Sequence, residues 1–335
     1  MHFSFGSFLL IFSLVIALAT AENINVCSSC TYKTIGKALS SIPNNSKVYT
    51  ILIASGTYNE KVTITRSNVI LKPSSGIVTI AYSAGHSTQS STGSNADSAV
   101  LTIKGKNVKV YNIIVANTYK QVRDIANLAL NLEGSEVSFY NVKLYGFQDT
   151  LLINRGGSGY FKNCYIEGSV DFIWGYGTGY FDHCTIASNQ KSGYITAHSR
   201  DSASATGGFY FNSCTVKATI PSGPLSKTYN SSLSFTSSSQ FPNTHYLGRP
   251  WGKYARVVFM YSSLGSHIRP AGWSIWNKND PRTSDVIFAE YNNGGSRPWS
   301  SSRAPFATQL SASQASKYSL NSVFGGKTSW IDTSI

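Results

Sequence analysis

The chain is predicted to be all-β, folded as a parallel β-helix with short helices capping its ends, from two observations: a repeating strand signature and a composition poor in charge. The signature is an aromatic or apolar residue, a polar pair and then an apolar position. Val110-Tyr-Asn-Ile113 is echoed by Phe139-Tyr-Asn-Val142, Phe161-Lys-Asn-Cys164, Phe181-Asp-His-Cys184 and Phe211-Asn-Ser-Cys214, at intervals of 20 to 30 residues. Each copy continues in alternation, as in Cys164-Tyr-Ile166 and Cys184-Thr-Ile186, which is the pattern of a strand showing every second residue to a core. Irregular spacing with a constant strand signature fits stacked coils that vary in length through insertions on one face. Charged residues make up only 13% of the 335 residues, while Ser, Thr, Asn, Gly and Tyr abound, as on a β-rich extracellular surface.

Taken in order, Phe3 to Leu18 is an apolar run too short to span a membrane comfortably, followed by Ala19-Thr-Ala21, a small-x-small cleavage pattern. Residues 1–21 are therefore read as a secretory signal and 22–335 as one secreted domain, although the leading residues hold His2 and no Lys or Arg, leaving an uncleaved anchor as the alternative. Cys27 and Cys30 suit a local disulfide or free thiols better than a metal, since no second ligand pair lies nearby. Ile35, Ala38, Leu39 and Ile42 mark one face of a helix within Thr34–Ile42 that stops before Pro43 and caps one end. Strand-like runs follow at Val48–Ala54, Val62–Ile64, Val69–Leu71 and Val78–Tyr82, and then a polar loop from Ser83 to Ser98, exposed or lining a cleft. Ile113, Val142, Cys164, Cys184 and Cys214 should form one interior ladder, which gives three of the five cysteines a packing role and leaves at least one free thiol. Ser311 and Gln314 form a capping-box pattern ahead of a helix over Ala312–Tyr318, expected on the outside of the coil stack.

The net charge of +13 implies an acidic partner or serves solubility alone. Basic residues are scattered, with no run of five or six, so an acidic polysaccharide is expected and nucleic acid is not. Asn44 and Asn230 head N-glycosylation triplets.

Two carboxylates stand in apolar, aromatic surroundings: Asp149 in Gly146-Phe-Gln-Asp-Thr150 and Asp171 in Gly168-Ser-Val-Asp-Phe-Ile-Trp-Gly175. Phe139 precedes the first by ten residues and Phe161 precedes the second by ten, so stacked strands about 4.8 Å apart bring the two acids together. Acids that close cannot ionise equally: one becomes a proton donor and the other stays ionised as base or nucleophile, helped by a guanidinium. Arg249, in the rigid Leu247-Gly-Arg-Pro-Trp251 loop, is the candidate partner, and the Gln148 amide can donate to an oxyanion.

These three segments, with Gly56-Thr-Tyr-Asn-Glu60, resemble the signature segments of the pectin methylesterases, and the resemblance runs from about Thr34 to Phe324. It implies a right-handed parallel β-helix and hydrolysis of galacturonate methyl esters in pectin, releasing methanol, without metal or cofactor. Asp171 would be the nucleophile, Asp149 the acid and then the base, Arg249 the group that keeps Asp171 ionised, and Gln148 an oxyanion donor. Trp251, Trp174, Phe172 and His198 would contact the sugars. A secreted monomer acting in the cell wall is expected, free of nucleic acid and, once the signal is removed, of membrane. The chain departs from the family where Ala126, in Ala126-Asn-Leu-Ala-Leu130, replaces a second oxyanion glutamine, with Gln121 and Asn127 as nearby substitutes, and where His198 replaces a common glutamine. Loss of one oxyanion donor costs about 100- to 1,000-fold in rate, so the alternative is a weakly active or non-catalytic binder of acidic polysaccharide. A lyase or galacturonase on the same architecture would need a calcium-binding acid cluster or a different acid set, and neither is visible.

Overall fold

The computed structural model describes residues 21–227 and 237–335. The segment read as a signal falls outside them up to Thr20, as does Asn230, whereas Asn44 is described and exposed. Three sheets of eleven, nine and seven strands run along the molecule, and each strand pairs in parallel with its counterpart one coil away. One coil shows the rule. Val137–Tyr140 lies in the first sheet, Lys143–Tyr145 in the second and Leu151–Ile153 in the third, before Ser158–Lys162 re-enters the first beside the strand where the coil began. This is the predicted parallel β-helix.

The repeat now has a physical reading. Its phenylalanines pair in register, Phe139 with Phe161, Phe161 with Phe181 and Phe181 with Phe211, and their rings stack inside at 4.6, 4.8 and 4.5 Å between centroids. Its third positions, Asn112, Asn141, Asn163, His183 and Ser213, all have φ of 54° or 55°. That left-handed conformation turns the chain from the first sheet into the second, and asparagine tolerates it better than most residues. Asn141 Nδ2 also donates to Asn112 Oδ1 across coils at 3.0 Å. Its fourth positions form the expected ladder: Ile113, Val142, Cys164, Cys184 and Cys214 are each at most 2% exposed, and the positions that follow them pair coil to coil. The three thiols are free, whereas Cys27 and Cys30 form a disulfide.

Helix α1 (Ile35–Ser40) is N-capped by Thr34 and buries Ile35 and Ala38 against the first coil, closing the N-terminal end. The capping box of Ser311 and Gln314 starts α2 (Ala312–Ala315), and α3 (Leu320–Val323) follows. This tail lies along the flank, where Tyr318, Phe324 and Trp330 cover the outward tyrosine row Tyr140, Tyr160, Tyr180 and Tyr210. Among the described residues no helix is long and apolar enough to cross a membrane.

The corner between the second and third sheets varies most. It is short at Gly146–Thr150, but it grows into long segments at 83–98 and 118–129. These build a cleft on one face. Within them, His86–Ser87 and Ile125–Ala126 form an antiparallel pair beside the otherwise parallel sheets.

Candidate active site

Asp149 and Asp171 occupy the same corner on consecutive coils. Gln148 and Val170 bridge in parallel, and Asp149 N–H donates to the Val170 carbonyl at 3.0 Å. Both aspartates have left-handed backbones, φ 64° and 48°, which throw their side chains outward as the chain turns into the third sheet. The turn needs close approach: a Cβ on Gly168 would stand 2.3 Å from Phe172 Cβ, so a larger residue would push Phe172 out of the core. The same corner that makes the coil therefore presents the acids.

Arg249 comes from two coils further on. In the third sheet Trp174 pairs with Ala197 and Ala197 with Arg249, and the small Ala197 leaves room for the guanidinium to reach back. Nε donates to Asp171 Oδ1 at 3.0 Å and Nη2 to Oδ2 at 2.6 Å, a two-point grip on the carboxylate. The guanidinium is also held between the Tyr194 and Trp276 rings, 4.1 and 4.3 Å from their centroids. Its direction is thus set from three sides.

The two acids are almost enclosed, at 6% and 8% exposure. Burial, followed by the charge of Asp171, drives the Asp149 carboxyl well above the usual carboxylate range, with an opposing hydrogen bond from Asn95. Burial raises Asp171 too, but there the charge and hydrogen bonds of Arg249 pull against it. The pair is therefore unequal: Asp149 is pushed further toward its protonated form than Asp171, whose anion the guanidinium favours.

Two amides face this pair. Asp124 N–H donates to Gln148 Oε1 at 2.9 Å, and because a backbone N–H can only donate, the Gln148 Nε2 end is left free to donate into the cleft. Asn95, from the 83–98 loop, donates from Nδ2 to Asp149 Oδ2 at 3.0 Å. Trp174 Nε1 donates to the Asp149 carbonyl at 3.2 Å, and Trp251 sits edge-on to Trp174 at 5.4 Å, forming one wall of a cleft of about 360 Å³.

Of the four residues expected to touch sugar, Trp251 lines this cleft and three do not: Trp174 is half-buried and packs over Ala99, Leu128 and Leu152, edge-on to Trp251. Phe172 is fully buried in the main core, because the left-handed turn at Asp171 sends the next side chain inward. His198 is also fully buried: Nδ1 accepts from Arg256 N–H at 3.1 Å, Nε2 faces the Gly177 carbonyl at 3.4 Å, and burial pushes its pKa down to about 3, so it is neutral. Ala126 is fully buried with Ala99, Leu128 and Leu152 under Trp174. Of its two nearby substitutes, Asn127 accepts at Oδ1 from the backbone N–H groups of Phe147 and Gln148, supporting that turn, and buried Gln121 is not part of the cleft wall. The sequence marks 83–98 as a loop and does not single out Asn95 within it. Nothing in the residue pattern distinguished Trp276 or Tyr194.

A donor acid beside a guanidinium-gripped carboxylate, with an amide aimed between them, defines an acyl-transfer hydrolase carried on a parallel β-helix. The chain belongs to the pectinesterase family, whose model matches residues 23–327. It is 32% identical to a probable pectinesterase A of Aspergillus fumigatus over 94% of this chain and 90% of that one. It superposes on the crystal structure of the Aspergillus niger pectin methylesterase in deglycosylated form with a TM-score of 0.77 at 32% identity, covering 95% of this chain and 98% of the other. For the pectin methylesterase from Erwinia chrysanthemi the values are 0.74 and 30%, over 92% and 98%.

Proposed function

We propose that this chain hydrolyses the methyl esters of pectin through a covalent intermediate on Asp171. The carboxylate of Asp171 attacks the ester carbonyl carbon, and Gln148 Nε2 donates to the oxyanion that forms. Asp149 gives its proton to the departing methoxy oxygen, so methanol leaves and an acyl-enzyme remains. Water then attacks the same carbon while Asp149, now a carboxylate, takes its proton. The bond to Asp171 breaks, the polymer departs as the free carboxylic acid, and the acid gives its proton to solvent. Arg249 keeps Asp171 ionised and aimed, while Trp251, with Trp174 edge-on beside it, offers an aromatic face to the sugar ring.

The observation that carries this reading is the unequal pair: one acid held by a two-point guanidinium, its neighbour buried and bonded to the neutral amide of Asn95. A polysaccharide binder has no use for such a pair, which is costly to enclose. The action is placed outside the cell, after loss of residues 1–21. Methanol release from methylated pectin tests the assignment. Asp171→Ala and Asp149→Ala should each lose most turnover while staying folded, and a near-normal rate in either removes that residue from the mechanism.

A further inference from the structure

The loop over the acid pair holds a chain of hydrogen bonds that the steps above leave unused. Asn95 Nδ2 meets Asp149 Oδ2 at 3.0 Å, Asn95 Oδ1 meets His86 Nδ1 at 3.1 Å, and His86 Nε2 meets the Thr92 carbonyl oxygen at 3.0 Å. A carbonyl oxygen only accepts, so Nε2 carries a hydrogen. Asn95 Oδ1 likewise only accepts, so with the amide this way round Nδ1 would carry one as well, an orientation that pairs a charged imidazole with the carboxylate Asp149 becomes once it has given up its proton. Turning the amide over gives the complementary set. Nδ2 then donates to the bare Nδ1 of a neutral imidazole, and Oδ1 accepts from a protonated Asp149. Both arrangements hold the same single proton, once on His86 and once on Asp149.

The backbone keeps these groups in place. His86 lies opposite Ala126 in the antiparallel pair, and Thr88 N–H donates to the Asp124 carbonyl at 2.9 Å, one residue before that pair begins. Asp124 is also the residue that orients Gln148, so one small strand pair sets both amides of the site. The charged groups beside His86 are Asp149 through the amide and Asp97 across the Gly93 turn, and Asp124 and Arg123 precede the segment paired with it.

We propose that Asn95 is a reversible amide link between His86 and Asp149: neutral His86 holds Asp149 in the protonated form that releases the alcohol, and charged His86 supports its carboxylate. His86 is thus a positioning residue. When Asp149 yields its proton to the leaving oxygen, the amide turns and the half-buried His86 takes a proton from solvent. When Asp149 regains a proton from the attacking water, the amide turns back and His86 returns its own to solvent.

This inference rests on Asp149 being the proton donor, but its first test needs no turnover. The titration of His86 is followed by NMR in the full chain, in Asp149→Asn, in Asn95→Ala and in the double variant. An asparagine N–H at 149 imitates the protonated carboxyl, so His86 should titrate lower by about one pH unit, the size of one charge-assisted hydrogen bond. Loss of the Asp149 charge acts through space with or without Asn95, so the shift in the Asn95→Ala background should be clearly smaller. Equal shifts in the two backgrounds, or none in Asp149→Asn, overturn the link. The second test is the pH profile of kcat/KM, whose alkaline limb reports protonated Asp149. In His86→Ala that limb should move to lower pH with little change in KM. His86→Asn can still bond to Asn95 but lacks a ring nitrogen that, when neutral, only accepts, so it should keep the loop in place while showing the same displaced limb. A wild-type limb in His86→Asn would reduce His86 to a structural prop. If the wild type released no methanol, the proposed reaction would fall while the NMR result still decided the link.

Discussion

Removing the guanidinium at Arg249 should disable the nucleophile by protonating it. Arg249 gives Asp171 two charge-assisted hydrogen bonds, at 3.0 and 2.6 Å, on a carboxylate whose side chain is only 11% exposed. Such bonds contribute about 1.5–3 kcal/mol each, and a pKa moves one unit per about 1.4 kcal/mol, so losing both raises the Asp171 pKa by about two units or more. The sign is fixed by the chemistry. Asp171 acts as the anion, burial already disfavours that anion, and without the cation a higher pH is needed to form it. In Arg249→Ala the acid limb of kcat/KM should therefore move up by about two pH units, and at the pH of the wild-type limb the rate should fall about 100-fold. Arg249→Lys keeps the charge but loses the fork and the packing between Tyr194 and Trp276, and should fall between the two. The assay is methanol release against pH, with thermal unfolding to show that each variant is folded. An acid limb in Arg249→Ala that coincides with the wild type would refute the reasoning, whatever the rate.

Three further outcomes are expected. Ala126→Gln should lower stability by about 1–3 kcal/mol in thermal or urea unfolding and give no faster turnover, because position 126 is enclosed by Ala99, Leu128 and Leu152; a tenfold or larger gain in rate would mean that it faces the reacting carbonyl. His198 has its pKa lowered by burial to about 3, whereas an unfolded histidine titrates near 6.5, so the stability it contributes is present above pH ~6.5 and is lost as pH falls toward 3. His198→Gln should accordingly flatten stability against pH in that window and alter neutral-pH turnover by less than about twofold, since the side chain touches no part of the cleft; an unchanged slope in unfolding experiments would remove it from the acid response. The thiols of Cys164, Cys184 and Cys214, each at most 2% exposed, should resist a thiol reagent in the native protein and react once it is unfolded, and rapid native labelling would contradict the interior ladder.

The coil architecture was legible in the residues because stacking makes every coil solve the same problem. Inside, a phenylalanine column must stack; at the first corner a residue must accept a left-handed backbone; after it, a small apolar group must fill the ladder. Those demands recur coil by coil and so leave a repeat, and the same recurrence put Asp149 and Asp171 in phase. Which way a neighbouring side chain points was decided only in three dimensions. The left-handed turn at Asp171 and the register shift between Val170 and Ile173 reset the strand alternation, so Phe172 goes to the core although it adjoins a cleft residue. His198 likewise lies behind the wall that Ala197 helps to form. The amide, imidazole and indole that complete the site, Asn95, His86 and Trp276, come from segments without period. Their places depend on how far each insertion reaches across the stacked coils, and no local residue pattern encodes that distance.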